Sequence, residues 1–247
     1  MPKRSAQSLD QLLYIARKAS NAADIARAED AFFNALLDAT IYAHVPIDPP
    51  PEGSMRFVQF IRPDNGQTVL PFFSDRNQAE AAAAGSVGIV AMQGLRFFDL
   101  TRGATVMLNP NRDRIALYPA EINALLGGRP VGTFTQEIIE ADEQVRVSPP
   151  TMSTAILIEG WQDLYVNEPA VRSAYLAEVH RTKHGPEAFL LLTLVVTAGN
   201  DERIVHLTAL KLGALSPDLS LPVTVSCVRP DEPLPEICHA GIQFYGT

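Results

Sequence analysis

The stretch Val87–Pro110, VGIVAMQGLRFFDLTRGATVMLNP, does most to limit what this chain can fold into. Val87–Met92 is predicted to be a strand, Gly94–Thr101 a short helix and Ala104–Leu108 a second strand. Asn109-Pro110 then turns the chain sharply, because proline has no N–H with which to continue a ladder. Strand, helix and strand in direct succession ask for a sheet with helices packed on it. Nothing inside the stretch has catalytic spacing.

The residues before it continue the alternation. Leu9, Leu12, Leu13 and Ala16 lie on one helical face, and Ser8 with Gln11 suits a capping box. A second helix follows, with Asn21 as its cap and Ile25, Phe32, Leu36 and Ala39 on its inner side. Thr40–Val45 is a strand that stops at Pro46, and three prolines make Ile47–Ser54 a loop. Met55–Ile61 and Gln67–Phe73 flank Pro63-Asp64-Asn65-Gly66 and are expected to pair as a hairpin. Ser74 is the expected cap of an alanine-rich helix, Asp75–Ala84, which Gly85 ends. Another helix begins near Tyr118, with Pro119 in its first turn, Glu121 at its positive end and a Leu117–Ile122 staple. Gly127-Gly128 closes it.

A boundary is expected between Gly127 and Pro150. The run GGRPVGTF is rich in breakers, and Glu137, Glu140, Asp142 and Glu143 read as a solvated connector. The division is residues 1–130, a linker over 131–147, and residues 148–247. In the second half Leu157, Trp161 and Leu164 share a helical face. Asn167-Glu168-Pro169 is read as the start of a further helix bearing Val171, Tyr175 and Val179. Ala188–Val196 is a buried strand. Asp201–Leu212 is assigned to a helix capped by Asn200, over a hairpin strand, on the spacing of Ile204, Leu207 and Lys211. Val223–Val228 and Ile242–Tyr245 are strands, and no fixed-period repeat indicates a solenoid. The fold class is α/β (α+β): two mixed α/β domains with an amino-terminal helical extension.

Composition narrows the function classes. A chain of 247 residues is comfortable for two domains. With 47% hydrophobic and 19% charged residues, extended disorder is disfavoured. The longest apolar run, around Phe189–Val196, is too short to span a bilayer, and the amino terminus has no apolar segment suited to secretion. A cytoplasmic location is expected, without membrane association. The net charge of −8 repels phosphate, and no cluster of Lys and Arg interleaves with aromatics, so no nucleic-acid partner is expected.

The candidate chemistry is sparse. His180 and His184 have i, i+4 spacing, but no intervening glutamate or third ligand accompanies them. They read as exposed polar residues at a helix end, and no metal site is assigned. Cys227 and Cys238 suit a reducing compartment and read as unrelated thiols, and Cys238-His239 sets no nucleophile against its base. Glycine-rich phosphate loops and the G-x-S-x-G elbow are absent, so no cofactor and no catalytic residue is assigned. Arg112 and Arg114, just after Asn109-Pro110, can join Arg62 and Arg102 in a cationic rim suited to a carboxylate or an acidic protein surface. Arg62, Asn109, Arg112 and Arg114 are therefore the candidate contact residues.

Leu108-Asn109-Pro110, with VAMQGLRFFDL before it and LYPAEINALL after it, resembles the amino-terminal domain of the SseB family, named for enhanced serine sensitivity. VLPFFSDRNQAEA resembles that family's succession of proline, aromatic residues, Ser/Thr and then a helix. Leu157–Leu164, VRSAYLAEV, LLLTLVV, LPVTVSCV and Phe244-Tyr245 are similar to its carboxy-terminal domain. The helical segment before Phe33 departs from the pattern. The resemblance implies a fold and brings no catalytic residues with it. The expected function is a non-catalytic interaction or regulatory module with a protein partner or self-association. The alternative is a sensor or enzyme for a small amino-acid-related molecule, using the loop around Asn109 and Arg112.

Overall fold

The computed structural model describes residues 8–19, 22–48, 50–131, 145–181, 188–215 and 219–246. It divides into two compact units, Met1–Val131 and Gly132–Thr247. The acidic connector at Glu137–Glu143 and the cap at Asn21 lie outside the described residues.

In the first unit, helices α1 (Leu9–Lys18) and α2 (Ala22–Asp38) lead into strand β1 (Thr40–Val45). Ser8 and Gln11 form the expected reciprocal cap of α1. After β1 come β2 (Phe60–Ile61), β3 (Thr68–Phe73), α3 (Arg76–Ala83), β4 (Gly88–Gln93), α4 (Gly94–Leu100), β5 (Val106–Leu108), β6 (Ile115–Leu117) and α5 (Pro119–Leu126). The sheet order is β4-β1-β3-β5-β6, with β2 pairing β3. Only β3 and β5 run parallel; the other pairs are antiparallel.

One sheet face packs Ile41, Leu70, Phe72, Leu108 and Leu117 against Phe32 and Leu36 of α2, Phe97 and Phe98 of α4 and Ile122 of α5. Leu13 of α1 joins the same core. The helical extension is thus part of the first unit's core and not an appendage. On the other face His44 stacks on Phe73 and donates to the Ala79 carbonyl of α3 at 2.9 Å.

Several local expectations are corrected. The hairpin forms, but only Phe60–Ile61 of its first arm is a strand. Asp75, not Ser74, caps α3, accepting from Gln78 N–H at 2.9 Å. Strand β6, too short to be expected from the sequence, pairs with β5 so that Val106 faces Leu117.

The second unit contains β7 (Val145–Ser148), α6 (Ala155–Tyr165), β8 (Val171–Arg181), β9 (Ala188–Val196), α7 (Asp201–Leu215), β10 (Val223–Val228), α8 (Glu236–His239) and β11 (Ile242–Tyr245). Its sheet runs β10-β9-β8-β11, with β7 also on β8. The last residues of the expected linker are therefore the strand β7. The helix assigned to Asp201–Leu212 is present as α7. It connects the parallel neighbours β9 and β10 as a crossover.

The expected helix after Pro169 is instead the strand β8, paired with β9 along its length and with β7 and β11 on its other side. Val171, Tyr175 and Val179 are four apart. That spacing repeats a helical stripe, but it also keeps Tyr175 and Val179 on one face of a strand, while a register shift between Val171 and Ser173 turns Val171 to the other face. The buried residues between them, Ala174, Leu176 and Glu178, belong to a strand covered on both faces.

Candidate functional site

The first unit's candidate residues meet where β5 ends. Asn109 is 1% exposed and sits at φ 45, a left-handed conformation that asparagine tolerates better than most residues. Its N–H donates to the Phe72 carbonyl at 2.8 Å, and its carbonyl accepts from the N–H groups of Arg112, Asp113 and Arg114. Its side-chain amide reaches back to the turn after β3. Asn109 Oδ1 accepts from Ser74 N–H at 3.0 Å, while Nδ2 donates to Ser74 Oγ at 3.0 Å and to Asp113 Oδ2 at 2.7 Å.

Charged groups then tie α1 to this turn. Arg112 holds Asp10 through both terminal nitrogens, at 2.7 and 3.3 Å, and Asp113 through Nε at 2.9 Å. Arg17 Nη1 lies 2.9 Å from the other Asp113 oxygen. Burial alone would raise the Asp113 carboxyl, but the Asn109 amide and the Arg112 and Arg17 guanidinium groups outweigh it and hold it below its ordinary value. The Asp10 carboxylate, followed by Asp113, holds Arg112 firmly protonated.

The expected cationic rim is not assembled. Arg62 is buried at the hairpin, where it pairs with Asp64 through Nε at 3.1 Å and Nη2 at 2.6 Å. Arg102 pairs with Asp99 on α4 at 2.9 Å. Arg114 is exposed at φ 54. Of the four candidates, Asn109 and Arg112 share one network, and carboxylates occupy it. The sequence gives no local sign that Asp10, Arg17 and Ser74 meet this turn, because only folding brings them to Asn109. Asp113, adjacent to Arg112, carried the one local signal.

Two depressions flank the network. A cleft of about 540 Å³ is lined by Ser8, Asp10, Asp38, Thr40, Ser74 and Asp75, among others. A shallower groove of about 440 Å³ runs along α1 beside Asp10, Gln11, Tyr14 and Ile15. Tyr14 is 63% exposed and Ile15 43% exposed, and Lys18 Nζ lies 5.9 Å from the centre of the Tyr14 ring.

In the second unit Glu178 is buried and accepts from Thr151 N–H at 2.8 Å, Thr151 Oγ1 at 2.7 Å and His180 Nε2 at 2.8 Å. The Thr151 donors come first in holding its pKa below the ordinary value. His180 lies on a strand, so helical i, i+4 spacing does not apply to it, and His184 lies outside the described residues. Cys227 and Cys238 are both free thiols. Cys227 is level with Leu194, and burial followed by Asp201 pushes it up to about 12. Burial also raises Cys238, which bonds to Thr193 on the opposite face of the sheet. Among the described residues no three His, Cys, Asp or Glu side chains are placed to hold a metal ion, and no helix is long and apolar enough to cross a membrane.

Residues 16–124 match the family model described as the SseB protein N-terminal domain. The match begins within α1, ends within α5 and contains Asn109, Arg112 and Asp113. It is joined by 27% identity over 183 residues to Protein SseB of Escherichia coli (strain K12), covering 72% of this chain and 70% of that protein. The chain is similar to the SseB family. The same identity and coverage relate it to Protein SseB of Shigella flexneri. No solved structure matches it significantly. Asp10 lies before the residues matched to the SseB N-terminal domain, so the Arg112–Asp10 pair joins the matched residues to the segment preceding them.

Proposed function

We propose that this protein, similar to the SseB family, acts by binding another protein and not by turning over a substrate. The outer face of α1 carries the reading. Leu13 buries the helix's inner face, and Asp10 and Arg17 fix it to the Asn109 turn, so Tyr14 and Ile15 are held outward on an anchored element. A rigidly presented tyrosine beside an aliphatic side chain is a favoured interface anchor, since little entropy remains to be lost on contact. The polar groups at the Asn109 turn are engaged in holding that helix, and the raised thiols are poor nucleophiles at neutral pH. Free cysteines suit work in the cytoplasm.

Affinity capture with the whole protein, compared with a Tyr14→Ser/Ile15→Ser variant, tests this. The expected result is a discrete partner that the wild type retains and the variant loses. Equal capture by both, or turnover of a metabolite by the purified protein, would overturn the reading.

The cleft beside Asp10, Asp38 and Asp75 favours a second reading. Its carboxylates and hydroxyls suit the ammonium group of a small amino-acid-like ligand, the opposite polarity to the carboxylate site expected from the arginines. A rise in melting temperature with serine or a related amino acid, lost in Asp38→Asn, would support it. No shift with any such compound would remove it.

A further inference from the structure

Strand β10 ends the second unit's sheet, and among the described residues no strand pairs with its outer side. Leu190 N–H donates to the Pro222 carbonyl at 2.8 Å, which fixes the phase of the parallel ladder. Thr224, Ser226 and Val228 therefore turn their backbone groups toward β9. Val223, Val225 and Cys227 turn theirs outward, and among the described residues those outward groups have no partner. All six residues of the strand are half-buried.

Protein sheets usually protect such an edge with a charge, a proline, a bulge or a covering element. β10, VTVSCV, contains neither charge nor proline, and its register with β9 is unbroken from Val223 to Val228. By contrast β11, on the opposite side of the sheet, breaks register between Gln243 and Tyr245.

We propose that the free edge of β10 is a self-association surface, on which a second copy of this chain adds its own β10 antiparallel about Val225. That register is self-complementary. Val225 faces its own copy and Val223 faces Cys227, so every outward backbone group meets an outward group of the partner strand. Thr224 faces Ser226 on the other side of the sheet, so small polar residues meet small polar residues and apolar ones meet apolar ones. Shifting the centre to Ser226 would set Thr224 against Val228. Charge also selects this place: two chains of net charge −8 repel, and β10 brings no carboxylate to the contact. A single strand pair buries less than the roughly 800 Å² per partner of a standard stable interface, so the dimer is weak and concentration-dependent. The proposal does not depend on the α1 reading, because it concerns a different unit and a different occupant.

Sedimentation equilibrium of the full chain across a concentration series tests it, with a paired charge swap. Thr224→Lys/Ser226→Lys places lysine against lysine twice across the two-fold axis, and Thr224→Glu/Ser226→Glu does the same with carboxylates. Each variant alone is expected to dimerise at least about tenfold more weakly than the wild type, while an equimolar mixture of the two recovers the association. Val225→Pro provides an independent variant, since the N–H it removes points away from β9 and an edge strand tolerates proline there. It is expected to remain monomeric. A wild type monomeric at every concentration, or variants that associate as the wild type does with no recovery on mixing, would overturn the proposal, including in favour of a foreign strand on this edge.

Discussion

Removing the Asn109 side chain separates three groups at once: the Ser74 N–H, the Ser74 hydroxyl and the Asp113 carboxylate. Asn109→Ala leaves a backbone donor without its acceptor and places alanine at positive φ, at an expected cost of about 2–4 kcal/mol in urea unfolding. Asn109→Gly should recover about 1 kcal/mol of it by relieving the backbone. A loss of less than about 0.5 kcal/mol for alanine would show that the turn does not depend on these bonds. Glu178 gives a pH-dependent counterpart. Its folded pKa is lowered from 4.5, so its stabilisation is present above that pH and lost as pH falls through the folded value. Glu178→Gln should lower stability at pH 7 by about 1–3 kcal/mol and flatten the acid limb of the stability profile below pH 5. An unchanged acid limb would contradict the assignment. The Asn-Pro turn was legible in the sequence because its signal is local. Asp10 was not, because its pairing with Arg112 exists only once the chain folds.

At the scale of elements, the meeting of α2 with α4 depends on Gly94. Its N–H donates to the Ala39 carbonyl at 2.9 Å, and a Cβ there would collide with the Leu36 carbonyl oxygen. Gly94→Ala should destabilise the protein by about 1–3 kcal/mol, as overpacking of a tight contact does. Leu95→Ala, at an exposed neighbour, should stay within about 0.5 kcal/mol. Equal denaturation midpoints for the two variants would show that the contact relaxes freely. Most helices and strands were legible because their caps and apolar periods agree, as in α1 and α5. β8 was not, since a four-residue spacing satisfies both periods and its sheet neighbours decide between them. β6 escaped notice because Ile115–Leu117 is too short to show a period and forms by pairing with β5.

At the scale of the whole molecule, two sheet-and-helix units account for the α/β composition, and each has its own core. The candidate site was only partly legible at this scale. The loop containing Asn109 and Arg112 was found, but its role changes from a cationic receptor to an anchor for α1. Arg62 belongs to a hairpin, and the acidic partners that neutralise Arg112 come from the opening helix. The central claim is that α1 is held in place so that its outer face can receive a protein. A photoreactive amino acid substituted for Tyr14 in the full chain, with another at exposed Glu232 as control, tests it in living cells. Irradiation is predicted to give a discrete protein adduct from position 14 and none from position 232. No adduct at position 14, or the same adducts from both positions, would contradict the claim.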